Sequence, residues 1–220
     1  MNQKPSLSEA YRPTTMSQVV GHAQAKRQLR TVWERGWGGR GYWLSGKSGV
    51  GKTTLARLIA AYGAEDMYIH EYNSADDVTA DEVWWIEDTM QTYGGLGSKK
   101  NGKAYIINEA HRLRADIITR LLGLFDKLPT HVALIFTTTQ KGHQYLFDNK
   151  LDAEALLSRC KHIELKDTPQ LLRAFAERAR WIAKREKLNG CPLRDYIELA
   201  HVCNCNLRRM LEDIEMGAMR

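Results

Sequence analysis

Cysteine is scarce in this 220-residue chain, which holds only Cys160, Cys191, Cys203 and Cys205. Four thiols clustered toward the C-terminal end cannot staple a secreted fold, which excludes a disulfide framework and implies reduced thiols. Long apolar runs are missing too. None approaches the roughly 20 residues that a membrane-spanning helix needs. The opening Met1-Asn2-Gln3-Lys4-Pro5 has no apolar core of the kind a secretory leader carries. There is no internal repeat and no low-complexity tract. These absences leave a cytoplasmic protein with no membrane association as the expectation, or a nuclear or host-cytoplasmic one if its source is eukaryotic or viral. What remains is ordinary globular material, with 43% hydrophobic and 26% charged residues, so wholesale disorder is excluded. The length suits one full-sized domain plus a small appendage. Lys and Arg number 32 against 26 Asp and Glu, a net charge of +6 that is compatible with nucleic acid but does not require it.

Periodicity divides the chain in two. Residues 22–35 read as an amphipathic helix, with Ala25, Leu29, Val32 and Trp33 on one face. A Gly-rich stretch, 36–41, ends it. Short apolar strands then alternate with helices: strands at 42–45, 67–72, 104–107, 132–136 and 162–165, helices at 55–63, 80–93, 115–127 and around 153–157. Nearly all-apolar strands alternating with helices predict an α/β fold whose parallel sheet is covered on both faces. Beyond Asp167 the pattern is helical only. Thr168-Pro169 is a cap with proline at the first helical position, and three helices follow, near 169–183, 193–202 and 207–216. The predicted division is an α/β core over 1–166 and a small three-helix lid over 167–220.

Gly46-Lys47-Ser48-Gly49-Val50-Gly51-Lys52-Thr53 matches G-x-x-x-x-G-K-[ST] in full, between an apolar strand and an apolar-periodic helix. Glycines let the backbone curl with its N–H groups inward around a β-phosphate. Lys52 is expected to neutralise the β- and γ-phosphates, and the Thr53 hydroxyl, with Thr54 beside it, to face Mg²⁺. The chain is therefore expected to bind a nucleoside triphosphate, ATP, with Mg²⁺. Such a loop needs an acidic strand end, commonly Asp-Glu. Here Ala104-Tyr105-Ile106-Ile107 leads to Asn108-Glu109. Glu109 is the candidate catalytic base. Asn108 can accept a hydrogen bond from a metal-bound water but brings no charge, so Mg²⁺ should be held weakly. A slow ATPase, a subunit that binds ATP without cleaving it and an inactivated protein all fit.

The order of these motifs resembles the clamp-loader branch of the AAA+ ATPases, above all replication factor C small subunits and phage clamp-loader subunits, over essentially the whole chain. Tyr11-Arg12-Pro13 followed by Val19-Val20-Gly21-His22 resembles Y-R-P…V-V-G-Q, which implies that Tyr11, Arg12, Val19 and Val20 pack beside adenine and ribose. Glu71-Tyr72-Asn73-Ser74-Ala75-Asp76-Asp77 is similar to E-L-N-A-S-D-D. Thr137-Thr138-Thr139 resembles the sensor 1 region, with Thr139 as the implied reader of the γ-phosphate. Leu157-Ser158-Arg159-Cys160 carries the S-R-C motif, which implies that Arg159 is an arginine finger acting in trans. Cys205-Asn206-Leu207-Arg208-Arg209 is similar to the sensor 2 motif G-D-M-R-R, placing Arg208 toward the nucleotide, with Cys205 where glycine is usual.

The resemblance implies a AAA+ core with a sensor 2 lid, a ring or spiral with other subunits or with itself, and ATP-driven loading of a sliding clamp onto primer-template DNA. Other DNA-associated motors (branch migration, helicase loading) and a non-hydrolysing scaffold are the alternatives. Two departures accompany it. The four-cysteine zinc module of bacterial motor subunits has no counterpart between Tyr62 and Tyr72, which favours the archaeal, eukaryotic or phage type. The helical collar domain of the family is also absent from this sequence. Lys99, Lys100, Lys103, Arg112 and Arg114 are candidate DNA-phosphate contacts, as the family's DNA lies inside the spiral. Cys191, His201, Cys203 and Cys205 lack knuckle spacing and read as packing rather than a zinc site. Trp84-Trp85 also reads as packing.

Overall fold

A computed structural model describes residues 5–95, 100–139 and 152–219. Its elements in chain order are α1 (Leu7–Ala10), α2 (Ala23–Glu34), β1 (Arg40–Gly46), α3 (Lys52–Gly63), β2 (Ala64–Tyr72), α4 (Ala80–Thr89), β3 (Gly102–Ile107) and α5 (Ala115–Phe125). They continue with β4 (Val132–Thr138), α6 (Ala153–Ser158), β5 (Cys160–Leu165), α7 (Pro169–Arg185), α8 (Leu193–Val202) and α9 (Leu207–Glu215).

The five strands form one sheet in the order β2-β3-β4-β1-β5, and every adjacent pair is parallel. Parallel neighbours need crossover connections, and the helices supplying them coat both faces. The pleat sorts the central strands accordingly. Trp43, Tyr105, Ile107, Leu134 and Phe136 face α4, α5 and α6, whereas Tyr42, Leu44, Ala104, Ile106 and Ile135 face α2 and α3. This two-sided burial is why these strands read as continuous apolar runs and not as alternating ones.

Strands β2 and β5 begin earlier than the apolar pattern implies, because ladder partners recruit polar residues. Ala64 pairs with Gly102, and Cys160 with Gly41. Helix α4 ends at Thr89, short of Tyr93. Its last carbonyls turn instead to cations and rings from the sheet side: Lys103 Nζ donates to Thr89 O at 2.6 Å, and His131 Nε2 lies 3.1 Å from Met90 O. Trp85 packs against His70 and Tyr105, as expected of a core residue, but Trp84 is 68% exposed.

The last three helices enclose their own apolar cluster, built around Phe175, Ala179, Ile182, Tyr196, Met210 and Ile214. Thr168 caps α7 by accepting from Leu171 N at 3.1 Å, ahead of Pro169. The N-terminal segment joins this bundle rather than the sheet. Leu7 is buried in its cluster, and the Leu7 amide donates to Glu215 Oε1 at 3.1 Å. No helix among the described residues is long and apolar enough to cross a membrane.

The sheet is most sensitive where ring meets ring. Trp43 is fully buried and stacks on Phe136 with centroids 5.5 Å apart. Trp43→Ala should cost about 3–5 kcal/mol of stability, read as a lower urea midpoint by far-UV circular dichroism.

Candidate nucleotide-binding site

The glycine-rich loop joins β1 to α3. Gly49 and Gly51 have φ of +74° and +103°, a left-handed backbone that side-chain-bearing residues avoid. Gly49 is doubly constrained, because a Cβ there would run into the Asn206 side chain of the C-terminal bundle. The curl leaves the first-turn amides of α3 at the mouth of a cleft, and Ser48 through Thr54 line it. Lys52 is buried and folded back on the loop, donating to Gly46 O at 3.1 Å and Lys47 O at 2.9 Å. Burial pulls its pKa below the usual lysine value, against the opposing pull of Glu109. Gly46 and Lys47 form the loop's base instead of the cleft wall, and Lys47 pairs with Asp167 across the start of the bundle.

Asn108 follows β3 and is buried. Its Oδ1 accepts from Thr53 Oγ1 at 3.2 Å and Thr137 Oγ1 at 2.9 Å, and its Nδ2 donates to Glu71 Oε1 at 2.9 Å and Tyr72 O at 3.1 Å. Glu71 is held in turn by Arg57, through Nε at 2.6 Å and Nη2 at 3.2 Å. Glu109 has φ +52°, left-handed for a non-glycine residue, a geometry tolerated where the surroundings impose it. It lines the cleft opposite the loop, with His111 Nδ1 3.5 Å from its carboxylate. Of the three threonines ending β4, Thr137 is the one bonded to Asn108, and Thr138 Oγ1 lies 3.2 Å from His111 Nδ1. Thr139 follows the strand and is not among the described residues that line the cleft. Thr53 and Asn108 thus present oxygen donors of the hard kind that suit Mg²⁺, both of them neutral.

The bundle and the N-terminal segment close the cleft's other walls. Tyr11, Arg12, Val19 and Val20 line it, as do Phe175, Ile182 and Leu211. This apolar wall suits a base. Arg12 Nη1 donates to Thr54 Oγ1 at 3.3 Å, and Tyr11 is latched to the bundle by its hydroxyl on Glu186 and its ring against Trp181. Arg208 enters from the first turn of α9. Among the described residues that line the cleft, Arg12, Lys52, Arg178 and Arg208 face one carboxylate, Glu109, and Arg12 is also paired with Glu9, a charge balance suited to a polyanion.

Sequence reasoning missed four of these groups. His22 has Nε2 2.9 Å from Val50 O and a left-handed φ of +50°. The others are Arg178, Glu71 as a partner of Asn108, and Asn206, which caps α9 and meets the loop. His22, Glu71 and Asn206 stood inside quoted motifs, so only their partners were invisible. Cys205, where glycine is usual, adopts φ +58° after Asn204 at +52°, so the glycine-type backbone is kept in spite of the side chain. The Cys203 thiol bonds Asp213 at 3.3 Å, and among the described residues no group of three His, Cys, Asp or Glu is placed to hold a metal.

The remaining candidates lie away from the cleft. Arg159 is exposed at the end of α6, with Nη1 on Ala155 O at 3.2 Å and Nη2 3.5 Å from Asp126. Lys99 lies outside the described residues. Lys103 is buried and turned inward, donating to Thr89 O and, at 2.7 Å, to Thr92 Oγ1, so it caps a helix rather than meeting solvent phosphates. Lys100 Nζ donates to Ala61 O, Arg112 pairs with Asp76 at 2.6 Å, and Arg114 lies 3.4 Å from Asp116.

The sequence pattern of the family described as AAA domain (dynein-related subfamily) matches residues 41–160. The chain is 29% identical over 178 residues to the DNA polymerase III subunit gamma/tau of Mycoplasma pneumoniae, covering 73% of this chain and 25% of that one. It is 25% identical over 178 residues to the DNA polymerase III subunit gamma of Buchnera aphidicola, covering 72% and 47%. Against the DNA polymerase III subunit tau of Escherichia coli it is 26% identical over 179 residues, covering 73% and 27%. The chain therefore spans between a quarter and about half of the length of these curated relatives. Two solved forms of RuvB from Thermotoga maritima superpose with TM-scores of 0.68 and 0.70 at 19% identity, covering 93% and 94% of this chain and 64% and 65% of theirs. At that identity the likeness is one of fold. The clamp-loader resemblance drawn from the motifs is borne out, and these curated relatives are bacterial even though the zinc module is missing.

The half-buried His22 offers a pH test. Burial holds the His22 pKa below its ordinary value of 6.5. The unfolded chain then binds more protons than the native one as pH falls through about 6.5, so native stability drops there and is fully present above it. His22→Gln should shrink the loss of urea midpoint between pH 7.5 and pH 5.5 relative to wild type.

Proposed function

Because this chain belongs to the AAA domain family, we propose that it works as an ATP-binding, clamp-loader-like subunit whose nucleotide lies between an α/β core, residues 1–166, and a helical lid, residues 167–220. One observation carries the reading: Lys52, Thr53 and Glu109 of the core share a cleft with Arg208 of the bundle. A cleft built from two bodies makes their relative position depend on what fills it.

In this reading Lys52 leaves its loop carbonyls for the β- and γ-phosphates, while the α3 amides donate to the β-phosphate. Thr53 and, by way of a water, Asn108 would hold Mg²⁺, which would supply positive charge against the phosphates. Glu109 polarises the attacking water, and Arg208 ties the lid to the γ-phosphate. Arg12 and Tyr11 position the ribose and base from the N-terminal side. The threonine cluster at the end of β4 reports the γ-phosphate, through Thr139 or through Thr137 with its direct link to Asn108. Arg159, exposed and outside its own cleft, serves the nucleotide of a neighbouring copy as an arginine finger. The assembly is a ring or spiral with like or related subunits that grips a sliding clamp and primer-template DNA while ATP is bound and lets go after hydrolysis. Arg112 and Arg114, with Lys99 and Lys100, remain the proposed DNA-phosphate contacts. Asn108 favours a second reading, a nucleotide-dependent scaffold that turns over slowly or not at all.

Turnover measured with clamp and DNA present separates the two readings, and variants test the residues. Lys52→Ala should abolish binding of a fluorescent ATP analogue. Arg159→Ala should bind the analogue like wild type yet lose about 10³-fold in turnover, and mixing the two inactive variants should restore part of it. Unchanged turnover in Arg159→Ala would remove the trans role.

A further inference from the structure

The two ends of the Asn108 amide are chemically different, and the end that faces Thr53 decides whether this strand terminus attracts or repels a cation. Both neighbours at Nδ2, the Glu71 carboxylate at 2.9 Å and the Tyr72 carbonyl at 3.1 Å, are acceptors with no hydrogen to give. Both neighbours at Oδ1 are hydroxyls, Thr53 at 3.2 Å and Thr137 at 2.9 Å. A hydroxyl rotates and can donate or accept, so it would tolerate either orientation of the amide. A carboxylate would not. The Tyr72 carbonyl is already shared with the Asn108 backbone N–H at 3.1 Å, which leaves Glu71 as the charged partner and the shorter contact. Arg57 holds both oxygens of that carboxylate, Nε on Oε2 at 2.6 Å and Nη2 on Oε1 at 3.2 Å, so Oε1 is shared between Arg57 and Asn108.

We propose that Glu71 is a positioning residue for the metal: its carboxylate orients and polarises the Asn108 amide so that Oδ1 accepts from the Thr53 hydroxyl and leaves that hydroxyl's lone pairs facing the cation. Negative charge that an aspartate would bring directly thus sits one hydrogen bond further out, an arrangement of the kind by which outer partners tune metal ligands. The proposal rests on the reading of the cleft as an ATP and Mg²⁺ site. It has a consequence that the motif alone does not. Asn108→Asp would set two carboxylates within hydrogen-bond distance, a like-charge contact that opposes ionisation of both, so restoring the common acidic residue should fail unless Glu71 is also neutralised.

The test uses the full chain and reads binding of a fluorescent ATP analogue against Mg²⁺ concentration and again in EDTA, with the melting temperature as a control on folding. Glu71→Gln should raise the Mg²⁺ midpoint about 10-fold or more while the affinity in EDTA stays at the wild-type level. Asn108→Asp alone should not lower the midpoint, whereas Asn108→Asp with Glu71→Gln should lower it below wild type. Arg57→Gln tests the same idea without touching Glu71: it unmasks the carboxylate and should lower the midpoint. The proposal is overturned if Glu71→Gln leaves the midpoint unmoved while Asn108→Ala raises it, or if Asn108→Asp alone tightens Mg²⁺ as much as the double variant does. If wild-type binding is indifferent to Mg²⁺, or Lys52→Ala binds the analogue like wild type, the cleft reading itself fails and takes this proposal with it.

Discussion

Three strands and a helix converge on one side-chain amide. Asn108 extends β3, reaches β2 through Glu71 and Tyr72, β4 through Thr137, and α3 through Thr53. A buried amide whose four hydrogen bonds are all satisfied tolerates little displacement of any partner, since each lost bond leaves an uncompensated polar group. The relative heights of the sheet's C-terminal edge and the first turn of α3 are set there. Open parallel sheets carry their ligands at that edge, so the bond network that organises the fold also organises the floor of the cleft. Glu109, next in sequence, is held left-handed and aimed into the cleft by the same turn.

The second constraint is the contact between the glycine loop and the bundle. Gly49, left-handed at φ +74°, lies so near Asn206 that a Cβ there would displace the Asn206 side chain, and Lys47 pairs with Asp167 where the chain leaves the sheet. The left-handed pair Asn204-Cys205 turns the chain into α9, so that Asn206 caps the helix and Arg208 enters the cleft. From the other side the N-terminal segment bridges both bodies: Arg12 touches Thr54 of α3, while Leu7 and Tyr11 are anchored in the bundle. Three sets of contacts thus tie the core to the bundle around the cleft.

Much of this was legible before any coordinates. The glycine loop, the parallel sheet and the helical C-terminal part follow from spacing and periodicity, since each is a local pattern with a local cause. Where the structure adds to the sequence reading, the reason is the placement of a residue along or around its element. Thr139 follows β4, which ends at Thr138, and Thr137 is the threonine level with Asn108, given that Ile107 pairs with Phe136. Lys103 looked like part of a basic loop. Strand parity places it on the face of Tyr105 and Ile107, beneath the end of α4, where its ammonium meets helix carbonyls. Trp84 and Trp85 are adjacent on a helix, about 100° apart, so one packs and the other is exposed.

By itself the sequence determined the chemistry on offer: a phosphate-binding loop, an acid after a neutral amide, and arginines at three separated motifs. It could do so because those patterns are short and each residue's type carries its own charge and hydrogen-bonding capacity. Tertiary structure alone decided which of those groups meet. Arg208 shares a cleft with Lys52 and Arg159 does not, and Glu71 rather than a neighbouring aspartate backs Asn108. Residues 37 positions apart, such as Glu71 and Asn108, come within hydrogen-bond reach only through strand pairing, and no local pattern encodes that distance.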